Sequence, residues 1–150
     1  MTLVKRFNLR VYALIINDRQ QLLLSKERRG TKEFTKFPGG GVELGEGIID
    51  ALHRELKEEL GVQIESANLF YVNDFFQASS FKPGDQVISF YYKVNLKEPY
   101  EVQCEPKFPI GGVNSTDFEH PMWFFLHEIT PNLLDFPTDK TVLLRLLSNL

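Results

Sequence analysis

Residues 39–62 read GGGVELGEGIIDALHRELKEELGV, a glycine-rich turn followed by a segment with helical periodicity. Its apolar side chains recur at spacings of three and four, at Ile49, Leu52, Leu56 and Leu60. This spacing is typical of an amphipathic helix. Gly47 is a candidate N-cap, and Gly61 stands where a left-handed residue commonly ends a helix. The segment therefore predicts a glycine turn that leads into a helix over residues 48–60.

Three carboxylates, Glu55, Glu58 and Glu59, lie on one side of this predicted helix. At about 100° per residue they fall within an arc of about 100°. They would repel one another without a cation, and hard oxygen ligands favour Mg²⁺ or Mn²⁺. A solvated acidic face is the alternative, but Glu59 lies only about 20° around the helix from Leu52, beside the apolar stripe. We therefore predict a divalent metal site.

The turn and helix together resemble the signature of the Nudix hydrolases at every defined position. The matching residues are Gly40, Glu46, Arg54-Glu55-Leu56, Glu58-Glu59 and Gly61-Val62. This resemblance implies an α/β class fold, a Nudix-like α/β/α sandwich with a mixed β-sheet, formed by residues 1–150 as a single domain. It also implies hydrolysis of a phosphoanhydride bond in a nucleoside diphosphate linked to another moiety.

The resemblance further assigns roles within the signature. Metal ligands would be the Gly39 carbonyl and three carboxylates, Glu55, Glu58 and Glu59, with Mg²⁺ as the expected ion and Mn²⁺ as the alternative. Arg54 would pair with a carboxylate of the same motif and hold it in place. Glu46 would either orient the loop against the helix or assist a metal-bound water. Backbone groups at Gly40 can approach the substrate closely, because glycine has no side chain.

The general base lies outside these assignments, because the family uses either a signature glutamate, such as Glu58, or a later carboxylate. Five acids stand in the later segment: Glu98, Glu101, Glu105, Asp117 and Glu119. We prefer Glu119, which closely precedes the predicted strand at Met122, and place Asp117 next.

Substrate contacts are sought among basic and aromatic residues near the glycine turn. Lys26, in a basic stretch with Arg28 and Arg29, is the preferred phosphate contact, although the stretch also fits an ordinary surface patch. Most of the aromatic residues must be core. Phe37 and Phe81 are the candidates for stacking on a nucleobase.

The remaining elements follow from hydrophobic patterning. We predict a hairpin from residues 11–16 and 22–24, a polar stretch over 26–36, strands over 68–76, 86–96 and 122–126, an irregular segment over 97–120, and a final helix over 138–147. Strands and helices are thus mixed within one unit, and we expect an α/β sandwich with a mixed sheet.

Composition restricts the partners. The chain of 150 residues carries a net charge of -3, so a stable nucleic-acid partner is not expected. It has no apolar run long enough to span a membrane and no secretory signal at its N-terminus. Cys104 stands alone, which suits a cytoplasmic location and, with no activating neighbour, disfavours a catalytic role. A small nucleotide is the expected partner, and a homodimer is left open.

Two other classes and several substrates were weighed. A nucleotide-sensing regulator on this fold usually has a degraded signature, and an isomerase of isoprenoid diphosphates requires a reactive cysteine in its own motif. Residues 78–80, Ala-Ser-Ser, lack the proline or tyrosine that marks two known substrate groups. Nucleotide sugars, nucleoside triphosphates and dinucleoside polyphosphates therefore all remain candidate substrates.

Overall fold

A computed structural model describes residues 3–110 and 114–150, and within them the chain forms eight strands and two α-helices. In chain order the elements are β1 (Arg6–Leu14), β2 (Gln21–Arg29), β3 (Lys32–Lys36), β4 (Gly39–Gly41), α1 (Ile48–Leu60), β5 (Ile64–Val72), β6 (Asp85–Leu96), β7 (Lys107–Ile110), β8 (Asp117–Phe125) and α2 (Pro137–Ser148). None of the helices in these two ranges has the length and apolar character required to cross a membrane.

The strands form two four-stranded sheets rather than one. The first has the order β4-β1-β6-β5 and is mixed, because β1 and β6 run parallel while the outer pairs are antiparallel. The second has the order β3-β2-β8-β7 and is antiparallel throughout. The predicted hairpin exists only at its turn, where Ile16 and Leu22 form an isolated bridge. Beyond that bridge, β1 and β2 enter different sheets.

Alternation along β1 explains the layered arrangement. Val11 and Ala13 pack with buried residues of α1, whereas Tyr12 and Leu14 pack with buried residues of α2. Successive side chains of a strand point to opposite faces, so the two helices cover opposite sides of β1. The predicted α/β/α sandwich is confirmed.

The helix that carries the signature also has its predicted bounds. Its N-cap, Gly47, donates its backbone N–H to Asp50 Oδ2 at 2.9 Å. Its C-cap, Gly61, has φ 67°, the left-handed conformation that glycine adopts without strain. The apolar stripe of α1 is buried at Leu52, Leu56 and Leu60, whereas Ile49 is exposed. This buried face packs α1 against the sheet.

Other boundaries were wrong, each for a local reason. Residues 68–76 were predicted as a strand, but β5 ends at Val72 because the Asn73 side chain bonds the backbone of β6, accepting from the Ser89 N–H at 2.7 Å. The stretch over 26–36 contains most of a β-hairpin, β2 and β3, and the stretch over 97–120 contains β7 and the start of β8. The strands β2 and β3 lack an apolar alternation because the buried side chains of Glu27 and Lys36 are charged.

Candidate active site

A cleft of about 490 Å³ is lined by residues from both sheets, both helices and the loop at residues 77–82. Its volume lies within the range of clefts that bind small molecules. Acidic side chains and the glycine turn lie in one part of the lining, and aromatic side chains line another. The acidic lining residues are Glu27, Glu55, Glu59, Glu119 and Asp139.

Three of these carboxylates converge from three different elements. Glu27 on β2, Glu59 on α1 and Glu119 on β8 each offer one oxygen, and the three oxygens lie within 4.8 Å of one another. Glu27 and Glu119 are directly opposite in the β2–β8 register. Oxygens this close to one another are suited to coordinating a hard divalent cation.

The electrostatics of Glu59 agree with a cation site. Burial, together with the negative charges of Glu27 and Glu55, raises the pKa of Glu59 to about 8, although the charge of Lys36 acts in the opposite direction. A carboxylate that resists ionisation when no cation is present would be stabilised in its charged form by a metal ion.

Glu27 was missed by the sequence analysis. It is almost fully buried, accepts a hydrogen bond from Ser25 Oγ at 2.9 Å and lies 3.2 Å from Lys36 Nζ. The available signal was the alternation of Ser25, Glu27 and Arg29, which places all three on one face if the segment is a strand. Because residues 26–36 were interpreted only as a polar stretch and not as a strand, this alternation was not used.

The glycine turn brings backbone against these carboxylates. Gly39, at φ 141°, donates its N–H to Glu59 Oε2 at 3.1 Å. A Cβ on Gly39 would lie 2.1 Å from the carbonyl oxygen of Val11. A Cβ on Gly40 would lie between 2.5 and 2.7 Å from the carboxylate atoms of Glu55. The absence of side chains at the turn therefore leaves the space that Glu55 occupies.

Arg54 connects the turn to the helix. Its Nε and Nη2 donate to the two carboxylate oxygens of Glu46 at 3.0 and 2.6 Å, and Nη2 also donates to the Gly41 carbonyl at 2.9 Å. Its Nη1 donates to Glu55 at 3.0 Å and to Glu58 at 3.4 Å. This fork geometry fixes the loop relative to α1.

Glu46 takes part in that connection rather than in the carboxylate cluster. The hydrogen bonds from Arg54 and from the Glu43 N–H lower the pKa of Glu46 to about 2. Glu46 is therefore ionised throughout the neutral range, and its carboxylate bonds both Arg54 of α1 and the backbone of the turn.

Of the other predicted metal ligands and general bases, some line the cleft and others do not. Glu55 lines the cleft, whereas the Glu58 side chain is 59% exposed and contacts Arg54. Glu119 lies in the cluster, where Arg29 Nη2 contacts its carboxylate at 2.6 Å. Asp117 accepts a hydrogen bond from the Gly30 N–H at 2.8 Å and is not among the residues that line the cleft.

Of the basic residues near the turn, Arg29 lines the cleft and Lys26 does not. Lys26 is exposed, and as the neighbour of Glu27 on β2 it points to the opposite face of the sheet. Arg29 contacts both Glu27, at 3.2 Å, and Glu119.

Of the two aromatic residues predicted to stack on a nucleobase, only Phe81 lines the cleft. Phe37 is completely buried and packs edge-on against Tyr91, so its ring has no free face for a base and the prediction for Phe37 is corrected. Phe81 lines the cleft and is partly exposed. Its ring centroid lies 5.1 Å from that of Phe34 and 6.0 Å from that of Phe136, and the three rings form an aromatic wall.

Asp139 lies beside this wall, buried at the start of α2. Its Oδ1 accepts a hydrogen bond from Tyr91 Oη at 2.5 Å, and the Phe37 backbone N–H lies close enough to the carboxylate to favour its charged form. Within residues 3–110 and 114–150, Oδ2 accepts no hydrogen bond of standard geometry. Burial raises the pKa of Asp139 to about 6. Asp139 is among the residues that line the cleft, and a buried acceptor without a hydrogen bond of standard geometry is uncommon in folded proteins.

The raised pKa of Asp139 predicts a dependence of stability on pH. Because the folded protein holds this proton more tightly than the unfolded chain, the stabilisation is complete below about pH 4 and is lost as the pH rises through about 6. The free energy of unfolding of the wild type relative to Asp139→Asn should therefore fall by about 2 kcal/mol between pH 4 and pH 7. Urea unfolding at both pH values measures this difference, and a constant difference would contradict it. Groups unchanged by the substitution, such as Glu59, cancel.

The fold and the site together define a class: an α/β/α sandwich whose cleft joins a glycine turn, a carboxylate helix and an aromatic wall. A family model described as NUDIX domain matches residues 6–147. The chain belongs to the Nudix family, and the predicted resemblance is confirmed.

Curated relatives match parts of the chain. The RNA pyrophosphohydrolase of Ruthia magnifica subsp. Calyptogena magnifica is 41% identical over 56 residues, 37% of this chain and 30% of that protein. The 8-oxo-dGTP diphosphatase of Haemophilus influenzae is 36% identical over 92 residues, 58% of this chain and 63% of that protein. Each match spans less than two thirds of the relative's own length.

Solved structures share the fold over a greater length. A MutT structure from work on Aliivibrio salmonicida and Vibrio cholerae has a TM-score of 0.69 at 22% identity, covering 97% of this chain and all of that one (100%). A NUDIX hydrolase from Nitrosomonas europaea has a TM-score of 0.63 at 24% identity, covering 95% of this chain and 89% of that one. These similarities show the sandwich fold.

Proposed function

We propose that this protein is a divalent-metal-dependent hydrolase that cleaves a phosphoanhydride bond in a nucleoside phosphate. The observation that carries the proposal is the convergence of Glu27, Glu59 and Glu119 beside the glycine turn. When bound there, Mg²⁺ or Mn²⁺ would neutralise phosphate charge and lower the pKa of a coordinated water. Membership of the Nudix family supports this reaction class.

Each residue near the cluster has a proposed part. Glu59, Glu55, Glu27 and the Gly39 carbonyl would hold the metal, and Glu58 would join them only if its exposed side chain turned inward. Glu119 faces the same space and would either ligate the metal or accept the proton of the attacking water. Arg29 would break its ion pair with Glu119 and contact a substrate phosphate. The sequence had predicted this phosphate contact for Lys26.

The other part of the cleft supports a single nucleobase as the second half of the substrate. The aromatic wall offers stacking, and Asp139 Oδ2 offers an acceptor for a ring N–H. The described part of the cleft has one aromatic wall and one carboxylate cluster, which fits a nucleoside tri- or diphosphate better than a dinucleoside polyphosphate. The name of one relative, an 8-oxo-dGTP diphosphatase, contains a nucleoside triphosphate.

A hydrolysis screen with Mg²⁺ and with Mn²⁺ tests the proposal. The panel comprises ordinary and oxidised nucleoside triphosphates, nucleotide sugars, dinucleoside polyphosphates and an RNA with a 5′-triphosphate, and product identification locates the broken bond. We expect the highest kcat/KM for a nucleoside triphosphate and complete loss of activity with chelator. Absence of hydrolysis across the panel, or turnover that persists in chelator, would contradict the proposal.

Phe81→Ala tests the base site. Because stacking contributes about 1–3 kcal/mol per base, KM should rise about tenfold while kcat changes little. Phe76→Ala is the matched control, since Phe76 is exposed and lies outside the cleft lining. Steady-state kinetics on the best substrate of the screen compare the variants. Equal KM values for both would remove Phe81 from the substrate site.

The remaining expectations are part of the same proposal. A nucleotide hydrolase with one unpaired cysteine, Cys104, fits the reducing cytoplasm. Residues 1–150 are proposed to act as one domain, and a mass measurement in solution would decide whether two copies associate.

A further inference from the structure

The ammonium group of Lys36 is buried within the acidic part of the cleft. Lys36 is not one of the signature residues. Its Nζ donates to the carbonyl oxygens of Phe37 and Gly39, both at 3.1 Å, and lies 3.2 Å from Glu27 Oε2. The residue is 6% exposed. All of its nearest polar partners are oxygens, as would be expected around a bound cation.

The surroundings keep this ammonium charged. The Glu27 carboxylate lies 3.2 Å from Nζ, and an opposite charge at this distance favours the ammonium form. The ring of Tyr12, whose centroid is 5.4 Å from Nζ, adds a favourable cation–π contact. Lys36 therefore contributes a fixed positive charge to the site.

The partners of Lys36 overlap with the donors proposed for the metal. The Gly39 carbonyl and the Glu27 carboxylate each have an oxygen engaged by Nζ, and the Gly39 N–H contacts Glu59. A divalent ion that took the same oxygens would approach a positive charge at short range, where repulsion is strong in a partly desolvated cleft. Either the ion binds more weakly or Lys36 gives up these contacts.

We propose that Lys36 is a resident cation of this site, which competes with the divalent ion for the Gly39 carbonyl and the Glu27 carboxylate and so weakens metal binding. This inference rests on the proposed function, because it concerns the same metal site. Lys36 acts through these two groups and is a positioning residue.

Metal affinity, measured without substrate, tests the inference. Mn²⁺ is titrated into the wild type, Lys36→Gln and Lys32→Gln, and free Mn²⁺ is followed by electron paramagnetic resonance. Lys32→Gln is the matched control, because Lys32 is an exposed lysine on the same strand whose Nζ bonds Ser80 O. We expect Lys36→Gln to bind Mn²⁺ at least about tenfold more tightly, as loss of a nearby like charge predicts, and Lys32→Gln to match the wild type.

Equal or weaker Mn²⁺ binding by Lys36→Gln would overturn the inference while leaving the proposed hydrolase intact. Absence of Mn²⁺ binding by the wild type and by Lys36→Gln alike would overturn both. Lys36→Arg keeps the positive charge, so its Mn²⁺ affinity should be close to that of the wild type. This variant separates the effect of the charge from that of side-chain packing.

A measurement on the wild type covers the case in which Lys36→Gln does not fold. Its buried hydrogen bonds should protect the Lys36 ammonium from exchange, so that it gives an NMR signal that Lys36→Arg lacks. Competition predicts that saturating Mg²⁺ shifts this signal or removes its protection. A signal unchanged by bound Mg²⁺ would overturn the inference.

Discussion

Glu59→Gln should lower kcat by about a thousandfold or more while the protein stays folded. Glu59 is the one signature carboxylate that lies in the cluster with Glu27 and Glu119 and also accepts the Gly39 N–H. Glutamine keeps the size of the side chain but removes the charge that would hold a divalent ion. Loss of metal-based charge stabilisation costs several kcal/mol, and each 1.4 kcal/mol is a tenfold change in rate.

The measurement is steady-state hydrolysis of the preferred substrate at saturating Mg²⁺, with circular dichroism to verify folding. Glu65→Gln provides the control, because Glu65 is exposed on β5 and does not line the cleft. A Glu59→Gln protein that retains a tenth of the wild-type kcat would refute the role of Glu59.

Glu58→Gln, measured in parallel, decides how far the resemblance extends. The signature implies that Glu58 is a metal ligand, and on that basis its loss should also cost several orders of magnitude in kcat. The Glu58 carboxylate contacts Arg54 at 3.4 Å and is largely exposed. A loss below about tenfold would restrict its role to that ion pair, since exposed pairs contribute little.

The three glycines of the turn should respond to alanine in three different ways. Gly39→Ala should lower the free energy of unfolding by about 3 kcal/mol or more, because a methyl group would overlap the backbone of Val11 and φ is 141°. Gly40→Ala should fold but lose most activity, since the methyl group would displace only the flexible end of Glu55. Gly41→Ala should be close to neutral, because its nearest atom, Arg10 Nη1, is 3.5 Å away.

Urea unfolding and hydrolysis of the same three variants separate the effects on stability from those on activity. Gly41→Ala is the matched control, since it makes the same substitution one residue further along the same strand. Normal stability of Gly39→Ala would contradict the close approach of β4 to β1. Full activity of Gly40→Ala would show that the position of the Glu55 carboxylate is unimportant.

The sequence was most informative where local pattern alone determines structure. The bounds of α1 and the glycine at each of its ends were predicted, because the helical period and the glycine turn are local signals. The α/β/α sandwich was implied by the resemblance to the Nudix signature. The second sheet was not predicted. In β2 and β3 the inward positions include Glu27 and Lys36, which are buried as an ion pair, so the apolar alternation that identifies a strand is absent.

The site residues likewise fall into those that local spacing predicts and those that only strand pairing brings together. Residues on one helix, such as Glu55 and Glu59, could be assigned from their spacing, but Glu27 and Arg29 join them only through the pairing of β2 with β8. Lys26 was preferred over Arg29 because the face of β2 was unknown. Phe37 was misjudged for a related reason, since only tertiary packing shows that its ring lies under Tyr91 rather than in the cleft.

The most direct measurement is the anomalous scattering of Mn²⁺ in crystals of the full chain grown with a non-hydrolysable nucleoside triphosphate. We predict a Mn²⁺ peak within coordination distance of a Glu59 carboxylate oxygen and in contact with the phosphates. A bound nucleotide with its Mn²⁺ elsewhere, and with Glu59 contacting no ion, would contradict the proposed chemistry of the site.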